Sequence, residues 1–198
     1  MGAYAWRFPR EARRLVRHVS HRGAAHVWPL VTYDNDAMTE ERVEVLDESG
    51  AIVGEAPRTE VITRNLWHRT AFVVVRSSSG AVLAHQRAFT KRLAPGKWDL
   101  GFGGACDIGE DWPDAAAREL YEEAGIRGTL RQLAEYRWDG DGSREVGRLY
   151  ETVSDGPFAF QAEEVATAEF VAVDELDAFL AEHELLEAAK AMVLPYIR

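Results

Sequence analysis

Short apolar runs and stretches of helical spacing alternate along this chain, and together they predict its elements. Residues 42–55 read as a hairpin: VEVLD, a turn at Glu48-Ser49-Gly50, then AIVGEA. Residues 58–66 predict a short helix leading to His68. AFVVV at 71–75 is the unbroken apolar run of a buried strand; Ser77 to Gly80 turn the chain, and AVLAHQR at 81–87 returns it. Residues 88–97 form a basic loop, and Trp98-Asp99-Leu100 open a further strand. Strands are predicted near 128–137 and 146–153, separated by a turn from Asp139 to Ser143, and at 168–172. VDELDAFLAEHELLEAAKAMVLPYI reads as one or two amphipathic helices. Strands flanked by helices imply the α/β class, with a mixed central sheet in an α/β/α sandwich.

One helix carries chemistry. Asp111 stands where a cap belongs, and Pro113 lies in the first turn, where a missing N–H costs little. Ala115, Ala116 and Ala117 favour the helix and allow close packing, and Gly125 is placed to stop it. Within it stand Glu119, Glu122 and Glu123. At about 100° per residue, Glu119 and Glu123 lie about 40° apart, and Glu122 about 60° to the other side of Glu119. Like charges at this spacing destabilise a helix by roughly 0.2–0.5 kcal/mol per pair. The face is either merely solvated or the seat of a cation. Clustered hard carboxylates select Mg²⁺ or Mn²⁺, where zinc would call for His and Cys. Mg²⁺ so held usually shares its shell with substrate phosphates, which points to a small phosphorylated substrate.

Composition narrows the picture. The chain has 198 residues, 46% of them apolar, enough for a core of one domain with decorations. It contains no apolar stretch long enough to cross a membrane as a helix. A net charge of −10 argues against a general nucleic-acid binder. A single cysteine excludes an internal disulfide framework; Cys106 reads as a small buried residue. Charge is uneven: in residues 1–30, Arg7, Arg10, Arg13, Arg14, Arg17 and Arg22 stand against Glu11, a net of 6 − 1 = +5. Residues 1–37 therefore read as a basic, loosely attached amino-terminal extension, with the domain opening at Met38 and running to 198. A secretory signal is disfavoured because no long apolar segment follows the basic residues, and a cytoplasmic location is expected. A homodimer is left open.

The acidic helix is part of a longer pattern. Gly104, Glu110, Arg118, Glu119, Leu120, Glu122, Glu123, Gly125 and Ile126 fall at the nine fixed positions of a 23-residue template: Gly, five residues, Glu, seven residues, Arg-Glu, an aliphatic, any residue, Glu-Glu, any residue, Gly, an aliphatic. This resembles the Nudix box. A plain acidic helix face explains the glutamates but not the glycine, Glu110 and arginine at their distances. The resemblance covers about residues 42–190 and implies the Nudix sandwich fold. It also implies Mg²⁺-dependent hydrolysis at the pyrophosphate of a nucleoside diphosphate linked to another moiety. By the same resemblance Glu119 and Glu123 are the main metal ligands and Glu122 a third, with an oxygen from the Gly104 carbonyl. Arg118 would orient the carboxylates, and Glu110 would support Arg118 or approach a second metal. For a general base, Glu164 fits the family's spacing of a loop glutamate ahead of an aromatic-bearing strand, here Phe170. A solvated loop acid is its plain alternative. Arg87, Arg92 and Lys97, with Lys91, would form the phosphate side; each alone reads as a surface charge.

The segments LWHRTAFVVV and PGKWDLGFGG resemble a subgroup related to isopentenyl diphosphate isomerase. That enzyme's chemistry calls for a cysteine and a histidine where this chain has Gly103 and Ala105, and for a histidine where it has Val61. His68 alone matches and reads as a structural hydrogen bonder. Hydrolysis is therefore favoured over isomerisation. A catalytically silent nucleotide-binding module is the other alternative; such domains usually lose box glutamates, and all are present here.

Overall fold

The computed structural model describes residues 41–198. The basic extension 1–37 and the boundary at Met38 lie outside the described residues. The chain opens on the expected hairpin, β1 (Arg42–Leu46) and β2 (Ile52–Pro57). The Asp47 carboxylate accepts the amides of Ser49 and Ala51 across its turn, and Gly50 adopts φ +88. Helix α1 (Arg58–Arg64) ends on Asn65 in the left-handed region. Strand β3 (Trp67–Arg76) begins four residues before the apolar run, because its polar start is paired. There Arg69, itself buried, donates to buried Glu44 at 2.8 Å.

Strand β4 (Val82–Arg87) follows as expected. The strand expected from Trp98 into the box divides into β5 (Trp98–Asp99) and β6 (Phe102–Ala105). Asp99 is the physical reason: its Oδ1 accepts the amides of Leu100 at 2.7 Å and Gly101 at 3.3 Å, turning the chain between two ladders. β5 pairs with β4 and β6 with β3. After α2 (Trp112–Ala124) come β7 (Arg131–Gly140) and β8 (Ser143–Val153). β7 begins and ends three residues later than expected and β8 begins three residues earlier, because the loop shrinks to Asp141 and Gly142 at φ 51 and 76, a pair of left-handed residues that suits a tight hairpin. β9 (Val165–Val171) pairs antiparallel with β4. The expected long amphipathic stretch is instead a 3₁₀ turn and three short helices: α3 (Leu176–Glu182), α4 (Glu187–Met192) and α5 (Leu194–Ile197). The break comes where residues 184 and 186 bond to the backbone of Trp98.

The nine strands described form one mixed sheet. β3 runs parallel to β8 over its whole length, and antiparallel to β1, β6 and β4 in succession. Alternate residues of β3 then divide between two cores. Ala71, Val73 and Val75 pack with Ala115, Ala116 and Leu120 of α2. On the opposite side Val74 and Leu149 join Leu176, Ala189 and Ile197 of the carboxy-terminal helices. This is the α/β/α sandwich.

Candidate active site

α2 is positioned by its small face. Ala115, Ala116, Leu120 and Ala124 are fully buried against the sheet, so the helix backbone lies close to β3 and β6. Asp111 occupies the cap position, but its side chain makes no capping bond; its carbonyl accepts the amides of Asp114 and Ala115. Gly125 ends the helix at φ 70.

Arg118 organises the acids around it. Its Nε and Nη2 reach Glu110 Oε1 and Oε2, both at 2.9 Å, in a two-pronged pair. Nη1 donates to Glu119 Oε1 at 2.8 Å, and Nη2 also reaches the Ala105 carbonyl at 3.1 Å. Burial acts to raise the Glu110 pKa, but the Arg118 hydrogen bonds overcome it and hold Glu110 below the ordinary carboxylate range. Both oxygens of Glu110 are thus taken by Arg118. Glu122 is half exposed and touches Arg118 only at 3.4 Å.

Glu119 and Glu123 are buried, each 8% exposed. A methyl group on Gly104 would sit 2.8 Å from Glu119 Oε1, so only glycine lets β6 approach that carboxylate. The Gly103 amide donates to Glu123 Oε2 at 3.1 Å. Burial, then the charges of Glu119 and Glu164, push Glu123 up to about 8. Burial likewise raises Glu119, against the pull of Arg118. These two acids are held where their charge lacks enough compensation, which is the condition a divalent cation relieves. Their all-oxygen donor set fits a hard cation. With Arg118 drawing Glu119 and Glu110 to itself, no three His, Cys, Asp or Glu side chains among the described residues stand ready as a metal cage.

The acids face a cavity of about 470 Å³. Glu164 lines it, and its carboxylate is bonded by Lys91 Nζ. Arg87 and Lys91 line it too. Arg92 and Lys97 are not among the lining residues: exposed Arg92 donates to Thr63, and Lys97 pairs with Glu184 at 2.7 Å. The sequence reading passed over Arg58, which lines the cavity beside its 2.8 Å partner Glu41 and feels the charges of Glu119 and Glu164. It also passed over Thr70, Asp99, Tyr136 and Glu145, which line the cavity from the sheet. Alternation in RQLAEYRWDG and SREVGRLY was the available signal, but it shows its face only once the strands are paired. His68 lies at the cavity with Nδ1 on the Leu66 carbonyl at 3.1 Å. Cys106 is 1% exposed, and burial pushes its thiol up to about 12, so it is no nucleophile.

A buried carboxylate pair thus stands beside a cavity lined by cationic side chains in an α/β/α sandwich. The family model for the NUDIX domain matches residues 66–193, and the chain belongs to the Nudix hydrolase family. It is 38% identical over 132 residues to an uncharacterized Nudix hydrolase of Pseudomonas aeruginosa, covering 66% of this chain and 78% of that one. It is 37% identical over 163 residues to another of Rhodococcus erythropolis, covering 77% and 87%. Among solved structures, the crystal structure of DR0079 from Deinococcus radiodurans superposes with a TM-score of 0.70 at 25% identity, over 80% of this chain and all (100%) of that one. The NUDIX domain of Shewanella oneidensis NrtR, crystallised with ADP ribose, gives 0.54 at 17% identity, over 70% and 95%, a likeness of fold. The protein is therefore an enzyme of a family that acts on nucleoside diphosphate derivatives and generally uses divalent metals. Among the described residues, no helix is long and apolar enough to cross a membrane.

Proposed function

We propose that this chain is a Mg²⁺- or Mn²⁺-dependent pyrophosphohydrolase that cleaves a nucleoside diphosphate linked to another moiety. The observation that carries this reading is the pair of buried, under-compensated carboxylates, Glu119 and Glu123, packed on Gly103 and Gly104 at the mouth of a cavity. In this reading Glu119 and Glu123 hold the metal, with Glu122 at the open edge and the Gly104 carbonyl as a further oxygen. When bound, the cation polarises phosphoryl oxygens and neutralises the charge that develops on them. Arg118 orients Glu119 and is itself fixed by Glu110. Arg87, Lys91 and Arg58 bind and orient the diphosphate; Arg92 and Lys97 act at most at its rim. Glu164 accepts the proton of the attacking water once the substrate phosphates draw Lys91 away from it.

The resemblance of the segments around His68 and Trp98 to the isomerase subgroup does not extend to its chemistry. Gly103, Ala105 and Val61 can neither transfer a proton nor bind a metal by side chain. A small nucleotide-derived substrate and a cytoplasmic site of action belong to the same reading. The test is turnover of a panel of nucleoside diphosphate sugars, dinucleotides, coenzyme derivatives and nucleoside triphosphates with millimolar Mg²⁺ against chelator. Metal-dependent release of a nucleoside monophosphate or inorganic product supports the reading; no turnover of any compound with either Mg²⁺ or Mn²⁺ would favour a silent binding module.

A further inference from the structure

The cavity has a second pole that the box does not explain. β3, β7 and β8 turn alternate side chains onto the face covered by the carboxy-terminal helices. The pairing sets His68 opposite Glu145 and Thr70 opposite Gly147, and on the other side Tyr136 opposite Gly147. Gly147 leaves the space that Tyr136 fills: a methyl group there would lie 2.4 Å from Tyr136 Oη and 2.5 Å from the Thr70 carbonyl. Thr70 Oγ1 meets Tyr136 Oη at 2.7 Å and donates to Glu145 Oε2 at 3.1 Å; Ser143 Oγ donates to Glu145 Oε1 at 2.6 Å. A hydroxyl has one proton, so Thr70 gives its own to Glu145 and receives that of Tyr136. The protons all run toward Glu145, and acceptor lone pairs are left over on Glu145 and Tyr136.

Asp99 stands near, 5% exposed. Its Oδ1 takes two backbone amides, and Oδ2 takes no hydrogen bond among the described residues. Neither Asp99 nor Glu145 has a cation within ion-pair distance among the described residues. Burial pushes Asp99 up to about 6, which leaves it mostly ionised, and an acceptor, at neutral pH. Buried carboxylates without cations are costly unless donors reach them. The opposite wall, Leu186, Ala189 and Met192, offers no donor side chain. Arg58 and Lys91 act on the box glutamates, and Arg87 acts on Asp99 from beyond ion-pair distance, so Glu145 and the hydroxyls beside it keep acceptor capacity that no cation in contact takes up.

We propose that Glu145, Asp99, Thr70 and Tyr136 form a specificity subsite for a hydrogen-bond-donating group, hydroxyl or amino, carried on the diphosphate that the other end of the cavity holds. The inference rests on the diphosphate reading above and narrows its substrate class. A donor group there completes the unused valences of the two acids; an aliphatic group leaves them buried and unpaired, which discriminates strongly against it.

Three diphosphates that differ only in donors test this: propyl, 2-aminoethyl and 2,3-dihydroxypropyl diphosphate. Binding to the full chain is measured by calorimetry with Ca²⁺, and turnover is followed separately with Mg²⁺. At least one donor-bearing compound should bind roughly tenfold or more tighter than the propyl compound. Which one does so tells amino from hydroxyl recognition. In Glu145→Gln and in Asp99→Asn that ratio should fall to within about threefold of unity. If Glu145→Gln does not fold, Asp99→Asn and Tyr136→Phe carry the comparison. Equal binding of the three compounds, absence of binding by all of them, or a ratio that survives the substitutions overturns the subsite. Discrimination in binding keeps the subsite whether or not the nucleotide panel above is hydrolysed; Mg²⁺-dependent turnover of that panel without discrimination among the three compounds keeps the hydrolase reading and removes the subsite.

Discussion

The two acidic ends of the cavity are built on opposite plans. At the box end, Glu119 and Glu123 come from one helix, four residues apart; Arg118 on the same helix pairs with Glu119, and Lys91 is the cation that acts on Glu123. At the sheet end, Glu145 and Asp99 come from separate strands, β8 and β5, and are met only by hydroxyls and backbone amides. The first arrangement is strained by like charge, a strain that the proposed divalent ion would relieve. The second has no ion-pair partner among the described residues, only the more distant charge of Arg87 on Asp99, and its geometry is fixed by hydrogen bonds. Charge repulsion thus supports the proposed metal site, and unfilled acceptor capacity the proposed site for an organic donor.

The contrast breaks most sharply at Glu123. Glu123→Gln keeps shape and removes charge, and kcat should fall by at least roughly 10²-fold with folding intact. The same variant has a stability signature in chelator. A carboxyl raised from 4.5 to about 8 on folding favours the folded state only while protonated. The wild-type melting temperature should therefore decline as pH rises between 4.5 and about 8, and the variant's decline should be clearly shallower, Glu119 still contributing. Equal slopes would show that Glu123 is not the strained acid.

Next in size is Arg118→Ala. Glu110 and Glu119 would keep their partly buried charges without the guanidinium, and urea unfolding should show a loss of roughly 3 kcal/mol. A loss below ~1 kcal/mol would reduce the pair to a surface interaction. Gly147→Ala probes the sheet end. Its methyl group must displace Tyr136, and a loss of roughly 1–3 kcal/mol is expected. Crystal structures or tyrosine hydroxyl resonances should then show the Thr70–Tyr136 bond broken; an unchanged bond would mean that the backbone yields instead. Smallest of all is Cys106→Ala. A buried thiol at about 12 does no chemistry, so pyrophosphatase activity should stay within about threefold of wild type, in line with the absence of a thiolate nucleophile. Interconversion of isopentenyl and dimethylallyl diphosphates, lost in that variant, would restore the isomerase reading.

How each end reads in the sequence follows from how it is built. Glu110, Arg118, Glu119 and Glu123 lie within 14 residues, where helical geometry converts spacing into position, so the box was legible as a string. So were the β1–β2 hairpin, the buried run of β3 and the helix stop at Gly125. Glu145 and Thr70 are 75 residues apart and meet only through the parallel pairing of β8 with β3, which no local pattern announces. The same holds for the split of β5 from β6: it depends on Asp99 accepting its neighbours' amides, although Trp-Asp-Leu-Gly-Phe reads as one strand. The C-terminal periodicity suggested longer helices than form, because residues 184 and 186 find backbone partners on Trp98. Arg92 and Lys97 look like pocket cations by sequence proximity to Lys91, but the loop directs them to Thr63 and Glu184.

The carboxy-terminal end of α2 has a consequence for motion. The carbonyls of Glu123 and Ala124 accept the amides of Gln161 and Ala159, both at 2.9 Å, and the Gln161 carbonyl accepts those of Glu164 and Val165. The helix end, the crossing segment and Glu164 are thereby laced into one mechanical piece. Glu123, the proposed metal ligand, and Glu164, the proposed proton acceptor, should then breathe together: in native-state hydrogen exchange, the amides of Ala159 and Gln161 should open with the same free energy as those of the last turn of α2. Whatever moves the end of the helix should carry Glu164 along with it.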